Sequence, residues 1–130
     1  MMQLAIKSLE AAADASGQTQ ETPAAIDRSH LARMTFGDRS LERELLELFD
    51  RQADMLIVRM RAGGPAALSP LAHTLKGSAS GIGATRVARA AEAAELVAGS
   101  SAADCSLAVD RLAQAVDEAR ALIAELLRQG

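Results

Sequence analysis

Apolar residues recur three and four apart along most of the chain, and turn residues cut that pattern into segments. Residues 26–36, IDRSHLARMTF, predict a short helix capped by Asp27 and ended by Gly37. Asp38 then starts a long helix through about Arg61, with Leu41, Leu45, Phe49, Leu56 and Met60 at near-helical spacing. The Gly-Gly-Pro at 63–65 breaks it. A third helix runs to about Ile82, where Gly83 closes it. Its start is open: near Pro65 with a perturbation at Pro70, or at Ser69-Pro70 with Ser as N-cap and Pro in the first turn. Thr85 to about Ala98 predicts a fourth helix with Val87, Ala91, Ala94 and Val97 inward, ended by Gly99. Ser101 with Asp104 has the form of a capping box for a fifth helix. That helix has the cleanest stripe: Val109, Leu112, Val116, Ala119, Ile123 and Leu126. The expected fold is all-α: an antiparallel up-down four-helix bundle with a short N-terminal lead-in helix. No internal repeat is visible.

Residues 1–25 form an N-terminal arm ahead of a bundle domain at 26–130. Within the arm, residues 2–15 predict an amphipathic helix with Leu4, Ile6 and Leu9 near one face, and SGQTQETP at 16–23 reads as a polar linker. Two readings of the arm stay open: a frayed end, or a helix that docks on the core or on another chain.

Composition sharpens the fold class. The chain has 29 Ala and 17 Leu against five Val, five Ile, two Phe and no Trp or Tyr, a mix that favours helices and starves strands. With 130 residues and 49% of them apolar, one core is what the chain can build. The net charge of −3 argues against nucleic acid and against an anionic membrane surface as partners. Cys105 is the single cysteine, which excludes a disulfide within the chain and fits a reducing compartment. No apolar run is long enough to span a bilayer and the N-terminus lacks a signal-peptide pattern, so a cytoplasmic location is expected.

The chemistry lies in LSPLAHTLKGSASGIGA, residues 68–84. At about 100° per residue, Leu68, Leu71, Ala79 and Ile82 fall within about 40° of Leu75, whereas His73 falls about 160° away, facing water. A core histidine is excluded by that geometry. An idle surface histidine would not explain Gly77, one turn on, because glycine inside a helix costs about 0.5–1 kcal/mol relative to alanine. Gly77 clears space around the imidazole, and Lys76 places a positive charge beside it. Hydrolysis would need an orienting partner and a cleft, and no Asp, Glu or Ser near His73 in the sequence suggests one. Metal binding would need converging ligands, yet His30 is the only other histidine and lies on the lead-in helix. No GxxxxGK phosphate loop is present, and no metal or cofactor is expected. What remains is covalent carriage of a phosphoryl group on the imidazole, with Lys76 offsetting its charge.

His73-Thr74-Leu75-Lys76-Gly77-Ser78-Ala79, followed by Gly83-Ala84, resembles the H-x-L-K-G-S motif of histidine-containing phosphotransfer domains. Ile26-Asp27, the Phe36-Gly37-Asp38 turn and Leu45 to Phe49 are also similar to bacterial members, so the likeness covers roughly residues 26–128. The resemblance implies a bundle whose His73 accepts a phosphoryl group from a receiver-domain aspartate and passes it to another. It also implies that Lys76 assists that group and that Gly77 lets the receiver approach. The partners it implies are response-regulator receivers and a hybrid histidine kinase, with the receiver supplying the acidic pocket and Mg²⁺. The carrier itself would be no enzyme. A histidine-kinase dimerisation module is disfavoured because Thr74, not an acidic residue, follows the histidine. The alternative function is a helical interaction module that binds a receiver or kinase without being phosphorylated.

Arg86 and Arg89 open the fourth helix and have two readings: pairing with Glu92 or Glu95 on a solvated face, or docking of an acidic receiver. Ser69, Ser80 and Ile82 are candidates for the same contact patch. His30 reads as structural, Cys105 as inert, and Met34, Met55 and Met60 as core filling. A monomer is expected.

Overall fold

A computed structural model describes residues 25–129 and, within them, five helices: α1 (Arg28–Met34), α2 (Arg39–Gly63), α3 (Pro65–Ile82), α4 (Thr85–Val97) and α5 (Ala102–Gln129). The described residues contain no strand. The predicted N-terminal helix at 2–15 and its linker lie outside them.

The helix ends follow their local chemistry. The Asp27 side chain accepts from the His30 N–H at 3.1 Å, and that of Asp38 accepts from Leu41 N–H at 3.1 Å, so each satisfies an amide that the first helical turn leaves free. The Ser101 hydroxyl does the same for Asp104 N–H at 3.1 Å. Gly64 alone separates α2 from α3, so the third helix begins at Pro65, and α2 runs two residues past the expected Arg61. Pro70 therefore sits inside α3, where it removes one backbone donor. Gly83 ends α3 in the left-handed region (φ 79°). Its carbonyl accepts from Asp27 N–H at 2.8 Å, which ties the entry of α1 to the exit of α3.

Helix α3 packs against α2 and α4, α5 packs against α4 and α2, and α1 rests on α3. Leu46, Phe49 and Met60 of α2, Leu68 and Leu75 of α3, Val87 of α4, and Leu112, Val116 and Ile123 of α5 fill the shared core. Alanine is the second component: Ala53, Ala72, Ala79, Ala91, Ala94 and Ala119 are fully buried. Small residues at the contacts let helix axes approach closely, which accounts for the alanine-rich composition. Across the surface, Arg120 joins Asp50 (2.8 Å) and Asp54 (3.1 Å), and Arg61 joins Asp110 (2.9 Å), fixing one flank of α2 to α5.

Three expectations fail. Leu41, Met34 and Met55 were assigned inward or core-filling positions, yet Met34 is 49% exposed, Met55 51% and Leu41 36%. Met34 is the last residue of α1, past its buried Leu31; for Leu41 and Met55 the physical reason is phase. On α2 the buried arc is set by Leu46, Phe49, Ala53, Leu56, Ile57 and Met60, and Leu41 and Met55 drift off it. Met60 is buried as expected.

Candidate functional site

The site starts from the phase of α3. Leu68, Ala72, Leu75, Ala79 and Ile82 are buried on one arc, which turns His73 outward with a side chain 71% exposed. One turn on, Lys76 shares that side of the helix and is 33% exposed. At Gly77 an added Cβ would meet nothing within 4 Å, so the position next to the imidazole opens to solvent and not to a neighbouring helix. Thr74, which follows the histidine, turns its hydroxyl back to the Pro70 carbonyl at 3.0 Å. That bond uses an acceptor one turn earlier in the same helix, the usual way for a helical threonine to satisfy itself.

The residue that organises the site is Glu95, on α4. Its Oε2 lies 3.1 Å from His73 Nδ1 and its Oε1 lies 3.0 Å from Lys76 Nζ. The carboxylate is 21% exposed, the least exposed of the three side chains. The adjacent Lys76 ammonium, above all, holds the Glu95 carboxyl below its ordinary range; partial burial pushes the other way, and His73 adds to the lowering. Glu95 is therefore an anion at neutral pH, and an ionised carboxylate only accepts hydrogen bonds. Nδ1 must then be the donor, so in the neutral imidazole the lone pair sits on Nε2. The geometry leaves an exposed nucleophilic nitrogen, with an orienting carboxylate behind it and an ammonium beside it. Charges on Lys76 and Glu95 cancel, so a dianionic group arriving at Nε2 meets a locally neutral surface.

Glu95 was not among the site residues expected from the sequence; it stood there only beside Glu92 as a partner for Arg86 or Arg89 in one of their two readings. Arg86 pairs instead with Glu118 of α5. Positions 86 and 95 lie about 180° apart around α4, so Arg86 occupies the α5 flank while Glu95 occupies the α3 flank. Arg89 is exposed on α4, and Ser69 and Ser80 are exposed on α3 within about 40° of His73 around the helix. Ile82 is buried and lines no surface. His30 is half-buried on α1, and the Cys105 thiol is buried and points to the Val97 carbonyl at 3.4 Å.

Among the described residues no group of three or more His, Cys, Asp and Glu side chains is placed to hold a metal ion. No helix among them is long and apolar enough to cross a membrane. A family model, that of the Hpt domain, matches residues 39–126. No curated protein matches the chain. No solved structure matches it either. The matched stretch runs from the start of α2 into the last turns of α5 and contains His73, Lys76, Gly77 and Glu95.

Proposed function

The chain belongs to the Hpt domain family, and from that premise we propose that it carries a phosphoryl group on His73 Nε2 in a two-component phosphorelay. The family places the chain in two-component signalling as a phosphotransfer module. The observation that carries the finer reading is the Nδ1 contact to Glu95 at 3.1 Å, which leaves Nε2 as the free nucleophile on an exposed ring.

In this reading the Nε2 lone pair attacks the phosphorus of a receiver's aspartyl phosphate. The N–P bond forms as the P–O bond to the aspartate breaks, and the leaving group is that carboxylate. The ring gains positive character as it is phosphorylated, and Glu95 stabilises it through the Nδ1 proton. Lys76, one turn away, neutralises Glu95 before transfer and offers its ammonium to the phosphoryl oxygens afterwards. Gly77 leaves the approach open. Transfer to a second receiver is the same exchange reversed. The receiver brings the acidic pocket and Mg²⁺, and the carrier adds positioning.

The same premise covers the remaining organisation. We take 26–130 as the phosphotransfer unit, with α2 to α5 running up and down in alternation, since the joints at Gly64, 83–84 and 98–101 are too short for a crossover. Its partners are receivers and a hybrid kinase, with no nucleic acid or membrane, and it acts as a cytoplasmic monomer. Ser69, Ser80 and Arg89 belong to the surface a receiver would cover. Arg86 is the weakest of the partner-binding candidates, since it faces α5.

The test is transfer from phosphorylated receivers of the same organism to the wild-type chain and to His73→Gln. The expected result is an acid-labile, base-stable label on wild type and none on the variant. Full labelling of His73→Gln would overturn the assignment.

A further inference from the structure

The face shared by α3 and α4 that carries His73 and Glu95 continues past Gly77 toward the turn at Gly83-Ala84. Ser80 stands seven residues after His73 and Ala88 seven before Glu95. Each therefore lies within about 20° of its counterpart around the helix and about 10 Å further along. There the face opens into a cavity of about 240 Å³, lined by Asp27, His30, Ser80, Gly83, Thr85 and Ala88. Helix α1 walls one side, held by the Asp27 N–H to the Gly83 carbonyl at 2.8 Å. His30 brings to the cavity a buried Nε2 with no hydrogen-bond partner. A buried nitrogen in that state is costly, and the cavity is far larger than the single water that would relieve it.

The lining selects the ligand. Asp27 has its one carboxylate; one oxygen accepts from the His30 N–H at 3.1 Å, which leaves the other to a visitor. The Thr85 hydroxyl gives its proton to the Gly83 carbonyl at 3.4 Å, so its oxygen can only accept. Ser80 adds a second hydroxyl oxygen. The C-terminus of α3 and the N-terminus of α4 meet at this turn with opposed dipoles, so Asp27 sets the sign of the local field. That carboxylate repels an anion. A metal ion finds one imidazole and one carboxylate in the lining, too few ligands. A compact cation with several N–H donors matches three acceptors at once: the free Asp27 oxygen, the Nε2 lone pair of His30 and a hydroxyl oxygen. We propose that this cavity is an ammonium site, and that it receives a lysine side chain of the receiver docked over His73. The second half rests on the carrier reading; the first does not. A receiver that brings its aspartyl phosphate to His73 covers this same face, and a lysine about 10 Å from that aspartate meets the cavity. The contact favours receivers that carry such a lysine over those that lack it.

Two measurements on the full chain test it. In the first, n-butylammonium chloride, which matches a lysine side chain in length, is titrated at mildly alkaline pH while the ¹⁵N shifts of the His30 ring are followed. A shift of Nε2 that saturates at millimolar concentrations is expected, and tetramethylammonium chloride at equal ionic strength should not reproduce it. Asp27→Asn still caps α1 and should weaken the binding at least about tenfold. No saturable shift, or one that tetramethylammonium reproduces, would overturn the ammonium site. In the second, transfer from phosphorylated receivers is measured for Asp27→Asn and His30→Leu. Each should raise the half-saturating receiver concentration about tenfold with little change in the rate at saturation, because the cavity lies apart from the reacting atoms. His30→Leu leaves the Asp27 cap intact, so it decides the question even where the other variant melts early. A slower saturated rate at unchanged half-saturation, or no change at all, would overturn the lysine contact. A wild type that takes no label would overturn the carrier reading and the receiver as the source, while the butylammonium titration still decides the site.

Discussion

In the proposed carrier reading, a carboxylate held between an imidazole and an ammonium decides which histidine nitrogen reacts. Glu95 fixes the Nδ1–H tautomer of His73 and engages Lys76 at the same time. In Glu95→Ala the ring should lose that preference, and ¹⁵N shifts of the imidazole nitrogens would report a change toward the Nε2–H form. Transfer should slow in parallel, while Glu95→Gln, which keeps an acceptor oxygen, should retain more activity than Glu95→Ala. An unchanged tautomer in Glu95→Ala would remove Glu95 from its positioning role. The lowered Glu95 value also fixes a pH dependence. On acidification the folded chain protonates this carboxyl later than the unfolded chain, so the stabilisation is present above the ordinary value of 4.5 and disappears as pH falls through the folded one. The melting difference between wild type and Glu95→Gln should shrink below pH 4.5. His73 was legible from its phase on the helix, and Lys76 and Gly77 from their one-turn spacing. Glu95 was not, because it is 22 residues away and the contact exists only once α3 and α4 are packed. Hairpin symmetry about Gly83-Ala84 is the signal that would have found it, since His73 and Glu95 stand about equally far from that turn.

Along the helices, two glycines look alike in sequence and do opposite things. Gly77 has helical backbone and open space around its missing Cβ, so close helix packing does not require it. Gly77→Ala should leave the bundle as stable or more stable by about 0.5–1 kcal/mol. Gly77→Gln should fold as well, yet slow transfer by on the order of a hundredfold, because a misplacement near 1 Å of the reacting groups has that effect. Melting curves beside transfer rates separate the two outcomes. An unfolded Gln variant, or a folded one with undiminished transfer, would refute the access argument. Gly83 has φ 79°, and a Cβ there would stand 2.9 Å from the Asp27 carbonyl oxygen. Gly83→Ala should therefore cost about 1–3 kcal/mol, read as a lower denaturant midpoint with transfer retained in the folded fraction. Helix ends were the most legible feature of this chain, since Asp27, Asp38, Ser101 and Gly83 act through their immediate neighbours. The start of α3 was ambiguous because Pro65 and Pro70 both satisfy the local rules for a first turn, and only tertiary packing holds a proline inside the helix.

At the scale of the whole molecule, the five helices of the described residues followed from periodicity, but the phase of α2 did not. Leu41 and Met55 fit a helical repeat as well as Leu46 does, and the choice among overlapping stripes is made by what α3 and α5 present. The core that results is continuous, with Leu112 of α5 fully buried. Leu112→Ala should cost about 2–5 kcal/mol, and calorimetry should show it without a change in the exposure of His73. The bundle is thus a rigid mount that holds one imidazole outward and one carboxylate behind it. The most direct measurement of that account is the site of phosphorylation itself. The full chain, phosphorylated by a receiver and kept at alkaline pH, is examined by ³¹P–¹⁵N coupling with residue assignment. The account predicts a single phosphorus bonded to Nε2 of His73, with Nδ1 still protonated toward Glu95. Phosphorus on Nδ1, on His30 or on any other residue would contradict it.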